Sequence, residues 1–413
     1  MFLLESLPFP LDRLPESAYF VGGSVRDLLL NRQAAYLDLD IVLPSQSIET
    51  ADKIARDYKA GFVVLDQDRG IARLVFEQMT IDFAQQQGSS IEADLQRRDF
   101  TINAIAYQPH HQRWLDPLGG QADIATQTIR MISAENLRAD PLRLLRAYRQ
   151  AAQLGFEIEP DTQAAIAQLA PYLSQVAYER IRSELDALLI LPAGTHQLTT
   201  VLQHQLLTFC LPHFTATSLE QMQAIDHAII QFETALPDYA KQLQAWPKPV
   251  PAGSYRSWIK AAKLSRAISS KSKTAETELT ALTYSRYEIK AVLTLLKLQP
   301  MLMALRQGPL NRSQQFFLFK SAGECFPAVS LLALAQGVEL AVLTPLVKRF
   351  LDGSDAIAHS QPLITGTLLM DHLAISPGPE VGKLMKAVEK AQAEGIVQTE
   401  EEAIAWLKAL KAK

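Results

Sequence analysis

One stretch, from Tyr19 to Leu43 (YFVGGSVRDLLLNRQAAYLDLDIVL), constrains this chain more than any other. It predicts an apolar lead-in, a Gly-Gly turn, a short helix, a polar loop, and then a strand carrying Asp38 and Asp40. Residues i and i+2 of a strand project from one face, so the two carboxylates of Asp-Leu-Asp point the same way. Leu39 and Ile41-Val42-Leu43 anchor that strand in a core. Two adjacent acids repel, and a divalent cation between them relieves the repulsion. Upstream, Gly22 and Gly23 let the backbone approach a ligand where a helix begins and its free N–H groups favour an anion. Arg26, on the first turn of that helix, has the fork that suits phosphate oxygens. An Asp-Leu-Asp triplet alone also reads as a solvated strand end. Preceded by GGSVRD, it reads as a site for a nucleoside triphosphate and Mg²⁺, where metal-held carboxylates support attack on a phosphoryl centre.

A chain of 413 residues is long for one core and predicts two to four domains. A net charge of −4 does not mark a general nucleic-acid binder, so any such partner must be held by local patches. Cys210 and Cys325 are too few for a disulfide framework or a cysteine zinc site, and suit a reducing compartment. Glu5 stands where a signal peptide would be basic, and no run is expected to reach the roughly 18 apolar residues of a membrane span. A cytoplasmic location follows as the expectation.

Residues 1–135 are expected to be α/β. Strands are predicted at Asp40–Leu43, Phe62–Leu65, Ala72–Phe76 and Met79–Phe83, with a helix at Ile48–Tyr58 and a hairpin across Glu77-Gln78. Asp82, near the end of its strand, is either a third acid beside Asp38 and Asp40 or a plain strand residue. Beyond residue 135 the apolar recurrence is helical: Leu137–Leu154, Asp161–Leu173, Tyr178–Leu191, Leu219–Leu236, Tyr255–Leu264, Ala275–Leu298 and Pro327–Leu351. Proline and glycine at 192–194, 247–253 and 352–362 mark loops.

Three further clusters carry chemistry. Arg97-Arg98-Asp99-Phe100-Thr101-Ile102-Asn103-Ala104 is expected to open a helix, with its arginines suited to a triphosphate and Asn103 to a sugar hydroxyl or phosphate. Asp116 to Asp123 (DPLGGQAD) reads as a turn into a helix and a hinge. In Asp140-Pro141-Leu142-Arg143, Asp140 fits an N-cap and Pro141 a first helical position. Arg143, Arg146 and Arg149 then recur as a basic band, which a solvated helix face would also show. Cytosine and adenine each present an amine donor beside a ring-nitrogen acceptor, and an acid beside an arginine offers the matching acceptor and donor. Uracil and guanine present the reverse order. Asp140 with Arg143 can therefore select C and A without a template.

Taken in order, GGSVRDLLLNR with DLD, RRDFTINAIAY, DPLGGQAD, ADPLRLLRAYR and YERIRSEL at Tyr178–Leu185 resemble the class II tRNA nucleotidyltransferase and bacterial poly(A) polymerase family. The resemblance implies an α+β protein, a polymerase-β-like head followed by an all-helical neck, body and tail. The corresponding divisions are residues 1–135, 136–195, 196–352 and 353–413. It also implies Mg²⁺-dependent addition of CMP and AMP to tRNA 3′ ends from CTP and ATP. By motif position, Gly23 and Arg26 would bind nucleotide, Asp38 and Asp40 metal, and Arg98 triphosphate. Asp140 and Arg143 would read the base, with Arg146 and Arg149 in support. Near the end of the chain, Ile364 to Gly382 looks like the family's tail segment. Its Pro-Gly-Pro turn feeds a helix on which Lys383, Lys386 and Lys390 could follow a tRNA backbone or simply face solvent. No protein partner is implied.

The pattern departs from the family in three places. Ala139 stands where a Glu usually precedes the base-reading Asp, so Asp140 must be oriented from elsewhere. The loop at Gln33–Leu37 is slightly longer than usual. Between Phe83 and Arg97 lies only AQQQGSSIEADLQ, where many CCA-adding members carry a longer flexible loop. A short loop looks like the mark of enzymes that add only the two cytidines, which favours CC over complete CCA addition. No His-Asp dipeptide is present, so the phosphohydrolase domain of some relatives is not expected. A poly(A) polymerase would favour a strongly basic C-terminal extension, whereas Glu400–Glu402 lie close to this chain's end. A non-catalytic RNA-binding protein would be expected to lose Asp38 and Asp40 first.

Overall fold

The computed structural model of the chain describes residues 6–32, 36–248 and 255–411. Residues 33–35 of the longer loop, 249–253 of one predicted loop and the first five residues, with Glu5, lie outside this set. The chain divides into two compact units, Met1–Glu184 with Gln203–Leu206, and Leu185–Leu202 with Leu207–Lys413.

The first unit is built on a seven-stranded mixed sheet. Its strands are β1 (Tyr19–Val21), β2 (Leu37–Leu43), β3 (Gly61–Asp66), β4 (Ile71–Val75), β5 (Met79–Gln85), β6 (Ala106–Gln108) and β7 (Arg113–Leu115), in the order β3-β4-β5-β2-β1-β6-β7. The predicted strands lie inside β2 to β5 except that Phe76 falls one residue beyond β4, and the hairpin across Glu77-Gln78 forms. Three strands went unanticipated: β1 is only three residues long, and β6 and β7 are equally short. β2 and β5 run parallel, with Asp38 opposite Thr80 and Asp40 opposite Asp82.

Strand alternation divides the core. Phe20, Leu39, Ile41, Leu43, Ile81 and Phe83 face one apolar layer that includes Ala51 and Ile54 from α2 (Ser47–Tyr58). Val21 and Val42 face the other, against Ile91 and Leu95 of α3 (Ile91–Gln96). Asp38 and Asp40 share the parity of Val42, so they emerge on the α3 side of the sheet. This parity positions the site.

Several helical expectations shift. Arg97 and Arg98 follow the C-terminus of α3, where cations suit the helix dipole, rather than opening a helix. Thr101–Asn103 forms only a single 3₁₀ turn. The DPLGGQAD segment caps α4 (Gly120–Ala125), with Asp116 accepting from the Gly120 and Gln121 N–H groups. A Cβ at Gly120 would lie 2.2 Å from the Thr101 carbonyl oxygen, so the segment clamps the head internally instead of serving as a hinge. The predicted helix Leu137–Leu154 breaks at Asp140-Pro141 into α5 (Ala134–Ala139) and α6 (Leu142–Leu154), because proline crowds the residue before it out of the helical region. Two short parallel strands, β8 (Thr128–Ile129) and β9 (Glu157–Ile158), fall among these helices. They are followed by α7 (Pro160–Leu169) and α8 (Tyr178–Ile190).

The second unit is helical. Predicted Ala275–Leu298 is interrupted at Thr283, with φ of +59°, and restarts under a Ser285–Glu288 capping box. Predicted Pro327–Leu351 is interrupted after Ala335. Gly194 starts a helix rather than lying in a loop. Phe316, Phe319 and Phe326 lie in the main apolar cluster, while Ile364, Leu369, Val388, Val397 and Leu407 form a separate one near the chain's end. Contrary to expectation, the helical stretch Arg312–Ala335 is long and apolar enough by length and composition to cross a membrane. However, 67% of its most apolar window is buried inside the protein, which is how a core helix looks.

Candidate active site

The face chosen by strand parity carries a row of charge. Arg73 on β4 donates Nε and Nη2 to both oxygens of Asp82 on β5, each at 2.7 Å. Asp82 lies directly beside Asp40 on β2. One step along, the Thr80 hydroxyl donates to Asp38 Oδ1. Among the described residues no cluster of three His, Cys, Asp or Glu side chains has metal-holding geometry, and both oxygens of Asp82 are committed to Arg73. The acids left to share a cation are Asp38, exposed, and Asp40, half-buried.

Gly22 comes against this pair. Its φ is +77°, and a Cβ there would lie 2.6 Å from Asp40 Oδ2 and 3.6 Å from Arg98 Nη1. Only glycine allows the Asp40 carboxylate to rest on the turn before α1 (Gly23–Leu29). Burial pushes the Asp40 carboxyl up to about 6; Arg98 and Arg146 oppose this, while Asp82 and Asp38 add to it. A divalent cation held between Asp38 and Asp40 would bring the Asp40 carboxyl back down.

The predicted phosphate-binding arginines are held differently from expectation. Arg26 is buried, with Nε and Nη2 on Asp27 Oδ1 and Nη1 on Asn103 Oδ1 at 2.9 Å. Its fork is therefore spent within the protein. Asn103, also buried, donates to Asp99 Oδ1 and Gln150 Oε1, both at 3.0 Å, and knits α1 to α6. Asp99 takes Arg146 Nε at 2.9 Å on its other oxygen. Burial raises the Asp99 carboxyl, but Arg146 and hydrogen bonds from Asn103 and the Phe100 N–H more than offset it, leaving it below the usual range. Arg98 donates Nη2 to Asp94 at 3.1 Å, while its buried Nε has no acceptor among the described residues.

Two arginines of the basic band on α6, Arg143 and Arg149, are engaged within the protein, while Arg146 is exposed although paired with Asp99. Arg143 Nη1 donates to the carbonyls of Arg97, Arg98 and Asn136. Arg149 donates Nε to Glu184 and Nη1 to Gln153. The N-cap position of α6 falls on Pro141 rather than on Asp140, whose Oδ2 accepts from Arg180 Nη2 at 2.9 Å. A cavity of about 720 Å³ is lined by Gly23, Asp38, Asp40, Arg146 and Arg149, with Arg26 in its wall. Asp94, Asp99, Arg180 and Glu184 escaped the sequence reading. The i, i+4 spacing of Arg180 and Glu184 within YERIRSEL was the available signal.

The loop after β5 is short and tied. The Gln86 N–H donates to the Leu43 carbonyl at 2.7 Å, the Gln87 N–H donates to Asp94 Oδ1 at 3.0 Å, and Ser90 caps α3. In the second unit, Lys383, Lys386 and Lys390 are exposed on the helix Pro379–Glu394, and Lys390 lies 3.8 Å from Glu394.

The fold and this cavity define a nucleotidyltransferase. Family models match three stretches: 'Poly A polymerase head domain' at residues 18–130, 'Probable RNA and SrmB- binding site of polymerase A' at 155–217, and 'tRNA nucleotidyltransferase domain 2 putative' at 257–407. A CC-adding tRNA nucleotidyltransferase of Synechocystis sp. is 42% identical, over 99% of this chain and 97% of its own length. An A-adding tRNA nucleotidyltransferase of Deinococcus radiodurans is 31% identical over 96% of each. The solved complex of a CCA-adding enzyme with ATP shares the fold, with a TM-score of 0.71 at 22% identity over 96% of this chain and 91% of that one. The chain belongs to the tRNA nucleotidyltransferase and bacterial poly(A) polymerase family.

Proposed function

We propose that this chain adds cytidines to tRNA 3′ ends from CTP, stopping after two. The observation that carries the CC specificity is the short loop at residues 86–90, tied to Leu43 and Asp94. Extensive identity to a CC-adding relative supports it. In the reaction, the tRNA 3′-hydroxyl attacks the α-phosphorus of CTP, a new P–O bond forms, and the bond to the β-phosphate breaks to release pyrophosphate. Asp38 and Asp40 would hold Mg²⁺, which when bound supplies charge stabilisation and acidifies the attacking hydroxyl. Gly22 keeps Asp40 against the turn, and Arg73 holds Asp82 beside it. Arg98, whose Nη1 comes beside Gly22 and whose buried Nε has no acceptor among the described residues, would take a phosphate oxygen. Asp140 and Arg143 would read the cytosine, Arg143 through Nη2 because Nη1 is engaged. Arg26, Asn103, Arg146 and Arg149 support the nucleotide by fixing α1 and α6 around the cavity.

In this reading the chain works in the cytoplasm on tRNA, uses ATP poorly or not at all, and keeps the four-part division into head, neck, body and tail. Purified protein, Mg²⁺ and a tRNA transcript ending just before CCA supply the test, with products sized at single-nucleotide resolution. Two additions with CTP, and none further when ATP joins, are expected; a third addition overturns the CC assignment. Asp38→Ala and Asp40→Ala should each abolish incorporation while the protein remains folded, and wild-type activity in both would remove the metal assignment.

A further inference from the structure

Asp140 sits at the break between α5 and α6, where its backbone is extended (φ −135°, ψ 92°) and Pro141, not Asp140, holds the N-cap position of α6. The residue before it, Ala139, offers no polar group. A carboxylate at such a break has no intrinsic orientation, yet the proposed base reader needs one. The structure supplies it from α8. Arg180 and Glu184 stand at i and i+4 on that helix and so share a face. Arg180 takes Asp140 Oδ2 at 2.9 Å, and Glu184 takes Arg149 Nε. A base-then-acid pair on α8 thus opposes the acid and base at Asp140 and Arg149, and the start and the middle of the reading helix are held by complementary charge.

We infer that Arg180 is a positioning residue for nucleotide selection: it fixes Asp140 through Oδ2 and leaves Oδ1 to accept the exocyclic amine of cytosine. The inference rests on the base-reading assignment of Asp140. Exposure argues for a role in selection over one in folding. The side chains of Arg180 and Asp140 are 50% and 34% exposed, and an ion pair that open contributes little to stability. A hydrogen bond from a guanidinium still orients a carboxylate strongly, because it is charge-assisted and directional. Uracil presents a carbonyl where cytosine presents its amine, so a well-aimed Oδ1 repels it and a wandering one does not.

The test uses the full chain, Mg²⁺, a tRNA lacking CCA, and CTP or UTP in separate assays with thermal melts alongside. Arg180→Gln is expected to raise KM for CTP and to lower the CTP-over-UTP preference, each about tenfold, with the melting midpoint unchanged. Arg180→Lys, which keeps the charge without the fork, should recover part of the preference. Asp140→Ala should lose the preference outright. If Arg180→Gln keeps the wild-type preference, or slows both nucleotides equally, while Asp140→Ala loses it, the positioning role is overturned and the base-reading assignment stands. If Asp140→Ala itself keeps the preference, the base-reading assignment falls, and the inference falls with it.

Discussion

At Gly22 one hydrogen atom decides whether the site exists. A methyl there would collide with Asp40 Oδ2 at 2.6 Å and would have to adopt a φ of +77°. Gly22→Ala should therefore destabilise the fold by about 1–2 kcal/mol and reduce incorporation well beyond that loss, as urea titration and kcat together would register. Asp40 gives a pH signature in metal-free protein. Its folded value of about 6 exceeds the ordinary 3.8, so between these values the folded chain holds a proton that the unfolded chain has released. Its contribution to stability is present below about pH 4 and is lost as pH rises through 6. With chelator present, melting midpoints of wild type relative to Asp40→Asn should fall across that window; parallel curves would refute the buried-acid picture. Both acids and both glycines were legible, because i, i+2 alternation and Gly-Gly turns follow from backbone geometry alone. The destinations of Arg26 and Asn103 were not: both lie in polar bonds between α1, the 101–103 turn and α6, at sequence separations of 77 and 47 residues. Local pattern says nothing about such partners.

At the scale of elements, the helices were found where apolar periodicity ran on, and misjudged where a cap or a break reset it. RRDFTINAIAY reads as a helix start, yet Ser90 had already capped α3 and the arginines close it. Asp140-Pro141 and the Ser285–Glu288 box each divide what the apolar pattern joins. The helix Pro379–Glu394 matches its Pro-Gly-Pro signal, with Pro379 at the first position. If its lysines follow an RNA backbone, replacing Lys383, Lys386 and Lys390 together by alanine should weaken tRNA binding about equally for all sequences. It should also reduce the slope of log K against log salt by about 2 to 3, since each of three lost phosphate contacts removes about 0.7 to 0.9. An unchanged slope would return these residues to the role of a solvated face.

At the scale of the whole molecule, the second unit has at its centre charges that composition would have placed on the surface. In the helix Trp258–Ala267, Lys260 is 1% exposed and donates Nζ to Asp186 at 2.9 Å and Glu288 at 2.7 Å. Tyr284 completes Asp186, and Ser285 completes Glu288. Lys263, equally buried, meets Thr195 and Asp226. Lys260→Ala should destabilise this unit by about 3–5 kcal/mol in urea unfolding, because Asp186 and Glu288 lose the ammonium they share and Glu288 is left with only Arg256 Nε at 3.7 Å as a cation. A cost below about 1 kcal/mol would mean that water reaches the cluster. These lysines also turn the unit into its own chemical clock. An ammonium that is hydrogen-bonded and sealed from solvent cannot meet an acylating reagent, whereas Lys383 and Lys386 can at once. The delay between labelling of the outer lysines and of Lys260 therefore measures how often the helical unit opens.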